Sequence, residues 1–233
     1  MRERMIETDR LKLRDWREPD KSLLSVIHAD PEVMQFLGGT KTASETSDFV
    51  DRLTQLSQGG EPTFWATERI DDGSLIGAVG LHWLGDDFPF GPALEVGWRL
   101  GRDYWGMGYA TEAARAVLDY AFGTLDVPRV YAFTALENKR SEIVMQRLGM
   151  TRVEGGEFPH PDYLPTDPSA MHMLYVAEKT IWMSDSQALN SHKRTVAFPS
   201  ISDESAPAMT AQDRKQSQGA GIASKGLSTS HRN

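Results

Sequence analysis

The chain has 233 residues, with 33 acidic against 25 basic side chains and no cysteine. The acidic balance argues against non-specific nucleic-acid binding, which depends on basic patches, and suits a cationic partner such as an amine. The lack of cysteine excludes disulfides, thiolate metal sites and a cysteine nucleophile. Residues 1–16 lack the apolar core of a signal peptide and no transmembrane run follows, so a cytoplasmic protein without a membrane partner is expected.

Residues 6–16 read as a strand through Ile6, Leu11 and Leu13. After Pro19, Leu23, Leu24 and Ile27 recur at helical spacing. Asp30-Pro31-Glu32 reads as an N-cap, a proline in the first turn and an acid behind it. That short helix ends near Gly38-Gly39. Thr42 with Glu45 fits a capping box, and Phe49, Leu53 and Leu56 form the buried stripe of the helix behind it.

The period then changes. Residues 63–70 and 75–84 are rich in aromatic and branched side chains, and Asp72-Gly73 between them signals a hairpin. Residues 93–100 make a third strand after a loop rich in glycine, proline and phenylalanine. Short connections make these three antiparallel. The best helical pattern of the chain follows, in Ala110, Ala113, Ala114, Val117, Leu118 and Ala121. A strand at 129–135 comes next. Strand, crossover helix, strand implies that 93–100 and 129–135 run parallel. A helix at 139–148 turns Ile143, Val144, Arg147 and Leu148 to one side and stops at Gly149. Two strands, 150–153 and 170–176, close the domain around a proline-rich loop. Trp16, Trp65 and Trp83 read as core. From position 184 to 233 no apolar periodicity survives and Phe198 is the lone aromatic. This segment is expected to be a disordered low-complexity tail to a domain of residues 1–183. The fold class expected is α/β (α+β): a mixed, mostly antiparallel central sheet with helices on both faces.

Between the third strand and the long helix stands Gly106-Met107-Gly108. Glycines let a backbone approach a ligand, and the free N–H groups of a helix start attract phosphate. A dinucleotide site of the doubly wound kind lacks its third glycine, since Thr111 stands there, and a Walker loop lacks its Gly-Lys-Ser/Thr.

Four motifs occur in order: Thr8-Asp9-Arg10-Leu11-Lys12-Leu13-Arg14; Glu95-Val96-Gly97-Trp98 with Leu100; Tyr104-Trp105-Gly106-Met107-Gly108-Tyr109-Ala110-Thr111-Glu112-Ala113; and Asn138 with Ser141, continuing to Leu148-Gly149-Met150. Over residues 5–178 the chain resembles the GNAT superfamily of acyl-CoA N-acyltransferases. It is most similar to the branch that includes the ribosomal-protein N-terminal acetyltransferases. The resemblance implies acetyl-CoA as co-substrate, and no metal is expected, since no metal-ligand spacing occurs. The CoA diphosphate would lie on backbone N–H groups around Met107, Gly108, Tyr109 and Ala110, beginning at Gly106, with Trp105 in a place often held by glutamine or arginine. The pantetheine arm would pair with the strand at Trp98 and Leu100, where the two parallel strands splay, and Gly97 could mark a bulge that opens them. Asn138 matches a pantetheine-contacting position and is also a natural N-cap.

Acetyl transfer to an amine needs a base, an oxyanion donor and an acid or hydrogen bond for the thiolate. Strand alternation puts Glu95, Gly97 and Arg99 on one face. Glu95 is the candidate base, or else is paired with Arg99. Ser141 is the candidate donor to the thiolate: many family members carry a tyrosine where Met145 stands, this chain does not, and the resembling branch implies a serine at this position in that part. A backbone N–H near Val96 or Trp98 would serve the oxyanion. His82, His160 and His172 lack metal-ligand spacing, and His160 could line the amine pocket. The function expected is acetyl transfer to a primary amine, of a small molecule or a peptide, by direct attack in a ternary complex. The alternative is a non-catalytic acetyl-CoA-binding module.

Overall fold

A computed structural model describes residues 5–190, with side chains to 184. Nine strands form one sheet: β1 (Ile6–Glu7), β2 (Leu11–Arg14), β3 (Phe64–Arg69), β4 (Leu75–Leu84), β5 (Ala93–Leu100), β6 (Arg129–Ala135), β7 (Thr151–Arg152), β8 (Phe158–Pro159) and β9 (Met171–Glu178). Their spatial order is β1-β2-β3-β4-β5-β6-β9-β7, and β8 also pairs with β9. Every pairing is antiparallel except β5 with β6.

The helices are α1 (Asp20–Ala29), α2 (Pro31–Met34), α3 (Ala43–Gln58), α4 (Tyr109–Gly123), α5 (Lys139–Arg147) and α6 (Lys179–Asn190). Alternation along the strands separates two cores. Trp65, Val79, Leu81, Leu94 and Val96 pack with Ala113, Val117 and Phe122 of α4. Ala66 and Ala78 on the opposite face meet Leu24, Ile27, Phe49 and Leu53 of α1 and α3. The caps form as the sequence requires. Asp30 accepts from the Glu32 N–H, and Thr42 and Glu45 bond reciprocally.

Small residues let strands close on one another beside the site. A Cβ on Gly80 would stand 2.2 Å from the Thr63 carbonyl oxygen. A Cβ on Gly97 would meet the Phe64 ring at 2.8 Å.

The structure departs from the sequence reading in several places. The strand expected over 6–16 is two strands with a turn between them, held by the Thr8 hydroxyl, which accepts from the Leu11 N–H at 2.9 Å. In α5 the buried side chains are Glu142 and Met145, followed by Leu148, while Ile143 is 45% exposed. Glu142 is retained inside because Lys139 and Tyr175 bond its carboxylate. Gly97 is no bulge: β4 and β5 stay in continuous register through Gly80↔Gly97, and the irregularity falls at Thr67/Glu68. Strand β8 lies in the proline-rich loop and was not expected. Helix α6 crosses position 184, and the remainder of the expected tail, 191–233, lies outside the described residues. No helix among the described residues is long and apolar enough to cross a membrane.

Candidate active site

The parallel pair is held by a single register, Glu95↔Tyr131. Beyond it β5 and β6 part, and a cavity of about 480 Å³ opens there. Its wall includes Glu95, Trp98, Leu100, Gly106, Gly108, Tyr109, Ala110, Asn138 and Ser141. The sequence candidates are thus brought together, with one exception. Met107 does not line the cavity: its side chain is half exposed, and its carbonyl accepts from Nη1 of Arg10 at 3.0 Å.

The loop's geometry follows from its glycines. Gly106 and Gly108 take φ of +76° and +82°, a region that favours glycine. Gly108 is the N-cap of α4 and offers no side chain to the first turn. The N–H groups of that turn are therefore left for a ligand. The one acid of the turn, Glu112, is held by Arg10 Nε at 2.6 Å and by the Thr8 hydroxyl at 2.6 Å. Arg10 also covers the Tyr109 ring at 4.5 Å. The first motif thus clamps the third. Its other arginine, Arg14, is buried between Asp20 and Glu68 and ties β2 to the start of α1. Trp105 donates from Nε1 to the Leu100 carbonyl at 2.9 Å, and Arg140 stacks on its ring at 4.4 Å. Arg140 and Arg147 are exposed cations on the cavity wall beside the loop, suited to an anionic ligand.

Glu95 lies on the face of β5 turned towards α1 and α3. No described residue bonds its carboxylate. Burial pushes it up to about 8. The pairing with Arg99 does not form: Arg99 turns instead to His28, with Nη1 and Nε2 2.7 Å apart.

Asn138 caps α5. Its Oδ1 accepts from the Ser141 N–H at 3.3 Å, and its Nδ2 donates to Thr134 Oγ1 at 2.8 Å. The Ser141 hydroxyl has no partner among the described residues and faces the cavity. Met145 is fully buried, and its thioether has no proton to give.

The opposite wall includes His160, which the sequence reading placed as a possible liner of the amine pocket. Phe88, Phe133, His160, Tyr163 and His172 gather there from three separate stretches, with His160 and His172 ring centroids 4.8 Å apart. Burial holds His160 down at about 4 and lowers His172 as well, which keeps both neutral. The sequence marks the phenylalanine-rich loop and the residues after β8 as pocket segments, but not the ring contacts by which Phe88 and Phe133 meet His160. No group of three or more possible metal ligands occurs among the described residues.

Residues 10–151 match the family model described as "Acetyltransferase (GNAT) domain". The chain belongs to the GNAT family. It is 31% identical to YkkB of Bacillus subtilis over 144 residues, 61% of this chain and 83% of that protein. It is 42% identical over 158 residues to an Aspergillus fumigatus protein named FsC-acetyl coenzyme A-N(2)-transacetylase, covering 64% of this chain and 66% of that one. Among solved structures, a GNAT acetyltransferase of Bacillus anthracis superposes with a TM-score of 0.64 at 26% identity, over 76% of this chain and 99% of that one. RimL, a ribosomal L7/L12 α-N-protein acetyltransferase, shares the fold with a TM-score of 0.63 at 19% identity, over 76% and 96%. GNAT enzymes use acetyl-CoA as co-substrate, and this chain is an acyl-CoA-dependent N-acetyltransferase.

Proposed function

We propose that the enzyme passes the acetyl group of acetyl-CoA directly to the primary amine of a small molecule or peptide, both bound at once. The observation that carries this reading is the cavity itself. It joins an anion-ready helix start, a parting of two parallel strands, an unpartnered carboxyl and an unpartnered hydroxyl.

The diphosphate of CoA fits the first-turn N–H groups of α4 at Gly108, Tyr109 and Ala110, where the loop is open and Arg10 neutralises Glu112. The pantetheine arm fits the unpaired edge of β5 at Trp98 and Leu100. Glu95 takes the amine's proton, directly or through one water. An α-amine ordinarily has a pKa of about 8 and a lysine of about 10.4, so a base held near 8 is matched to the former. Attack on the thioester carbonyl gives an oxyanion, for which a backbone N–H near Val96 or Trp98 is the assigned donor. Collapse releases the thiolate, to which Ser141 donates a hydrogen bond. The transferase unit is assigned to residues 1–183. Asn138 fixes the start of α5 and thereby Ser141.

Free thiol is followed while the enzyme is incubated with acetyl-CoA and a panel of amines. Release that depends on an amine and is lost in Glu95→Gln supports the reading. Saturable acetyl-CoA binding without thiol release across the panel would mark a binding module instead.

A further inference from the structure

The face of β5 that carries Glu95 also carries Arg99, which the transfer step does not use. Its side chain reaches the same cavity beneath α1 and α3. Arginine has donors only, so His28 accepts at Nε2, keeps its proton on Nδ1 and donates from there to Thr46 Oγ1 at 3.0 Å. Burial, with Arg99 and Lys41 nearby, holds His28 down at about 3, so it stays a neutral acceptor. His28 therefore orients the guanidinium without balancing its charge. The Phe49 ring lies 5.4 Å away on the same side.

No carboxylate of the described residues pairs with Arg99, and its Nε is buried without a partner. Burial draws the guanidinium down to about 10, which leaves it charged at neutral pH. The other acids on the cavity wall do not meet the need. Glu32 bonds Arg102 at 2.9 Å, and Asp87 and Asp162 are exposed. Arg99 is half-buried with its Nε fully enclosed, and a charge withdrawn from water without a counter-ion is costly, so proteins pair such groups. Here the missing partner is on the ligand's side.

We propose that Arg99, oriented by His28, receives an oxyanion of the acceptor, so that the enzyme's substrate is an amine bearing a carboxylate or phosphate, with its amino group at Glu95. The inference rests on the reading of this cavity as the acetyl-transfer site. Four residue steps along β5 lead from Glu95 to Arg99, about 13 Å between Cα atoms. That span favours an acceptor with its charges at opposite ends, such as a short peptide, an ω-amino acid or a phosphorylated amine.

The test follows thiol release from acetyl-CoA with matched pairs: glycyl-phenylalanine and its amide, γ-aminobutyrate and its amide, O-phosphoethanolamine and ethanolamine. The first two pairs read a carboxylate and the third a phosphate. In at least one pair the anionic member is expected to show kcat/KM about tenfold or more above its neutral partner, through KM. Arg99→Met should erase that difference, Arg99→Lys should retain part of it, and both should bind acetyl-CoA with unchanged Kd by calorimetry. Neutral members turned over as well as anionic ones, an unchanged ratio in Arg99→Met, or a weakened Kd for acetyl-CoA in its place would each overturn the proposal. So would a wild type that acetylates other amines but no anionic one. A wild type that neither binds acetyl-CoA nor releases thiol would refute the transfer site itself, a separate failure.

Discussion

Glu95→Gln tests the base on two axes at once. The carboxyl stands at about 8 in the fold against 4.5 unperturbed, and the cause is burial. Between those values the native state holds a proton that the unfolded chain has released. Stability therefore falls as pH rises from 4.5 to 8, and the contribution present below 4.5 is fully lost above 8. At about 1.4 kcal/mol per unit the whole shift amounts to about 5 kcal/mol. The carboxyl faces a cavity that admits water, and screening brings the expected penalty to roughly 2 kcal/mol. Glutamine cannot ionise, so the variant gains that amount over wild type between acid and mildly alkaline pH. Urea melts of both proteins at several pH values read the difference. The neutral histidines His28, His82 and His160 act in the opposite sense below pH 6.5, but they are common to both proteins and cancel. On the second axis, glutamine loses about a hundredfold or more in kcat/KM at alkaline pH. The ratio of wild type to variant should climb with pH and level off above 8. A stability difference that does not change with pH, together with a flat activity ratio, would refute both the buried carboxyl and its role as base.

Three further outcomes follow from the site. Arg10→Met frees Glu112 and the Met107 carbonyl, and acetyl-CoA binding should weaken by about 1 kcal/mol, or fivefold in Kd, by calorimetry; an unchanged Kd would sever the link between the first motif and the loop. Ser141→Ala should lower kcat roughly tenfold or more with acetyl-CoA affinity intact, as steady-state kinetics would read. Gly80→Ala should cost about 1–3 kcal/mol and lower Tm, because its Cβ meets backbone that cannot move aside.

The readable parts of the fold were those written in local periodicity. The switch from period two to helical spacing and back placed β5, α4 and β6 and made the first and last parallel. Alternation put Glu95 opposite Leu94 and Val96, both of which are buried. Capping chemistry placed α3 and α5. The rest depended on contacts distant in sequence. Arg10 meets residues 97 and 102 positions away, and Arg99 meets His28 across 71. No spacing rule carries such pairs. Ile143, Val144 and Arg147 share the cavity wall, but the buried side of α5 is not readable from periodicity, because Glu142 takes a place that only Tyr175 and Lys139 make tolerable. Strand β8 is two residues long and includes a proline, and α6 enters a stretch whose composition is polar and rich in serine.

Everything in the functional account depends on the loop at the start of α4 holding the diphosphate. Calorimetric titration of acetyl-CoA into wild type, Gly108→Ala and Gly108→Glu tests this directly. Both variants carry the strain of a side chain at φ +82°, so their difference isolates bulk and negative charge at the anion site. Saturable binding by wild type, a modest loss in the alanine variant and none detectable in the glutamate variant are the predicted results. Equal affinities in the two variants would contradict the account.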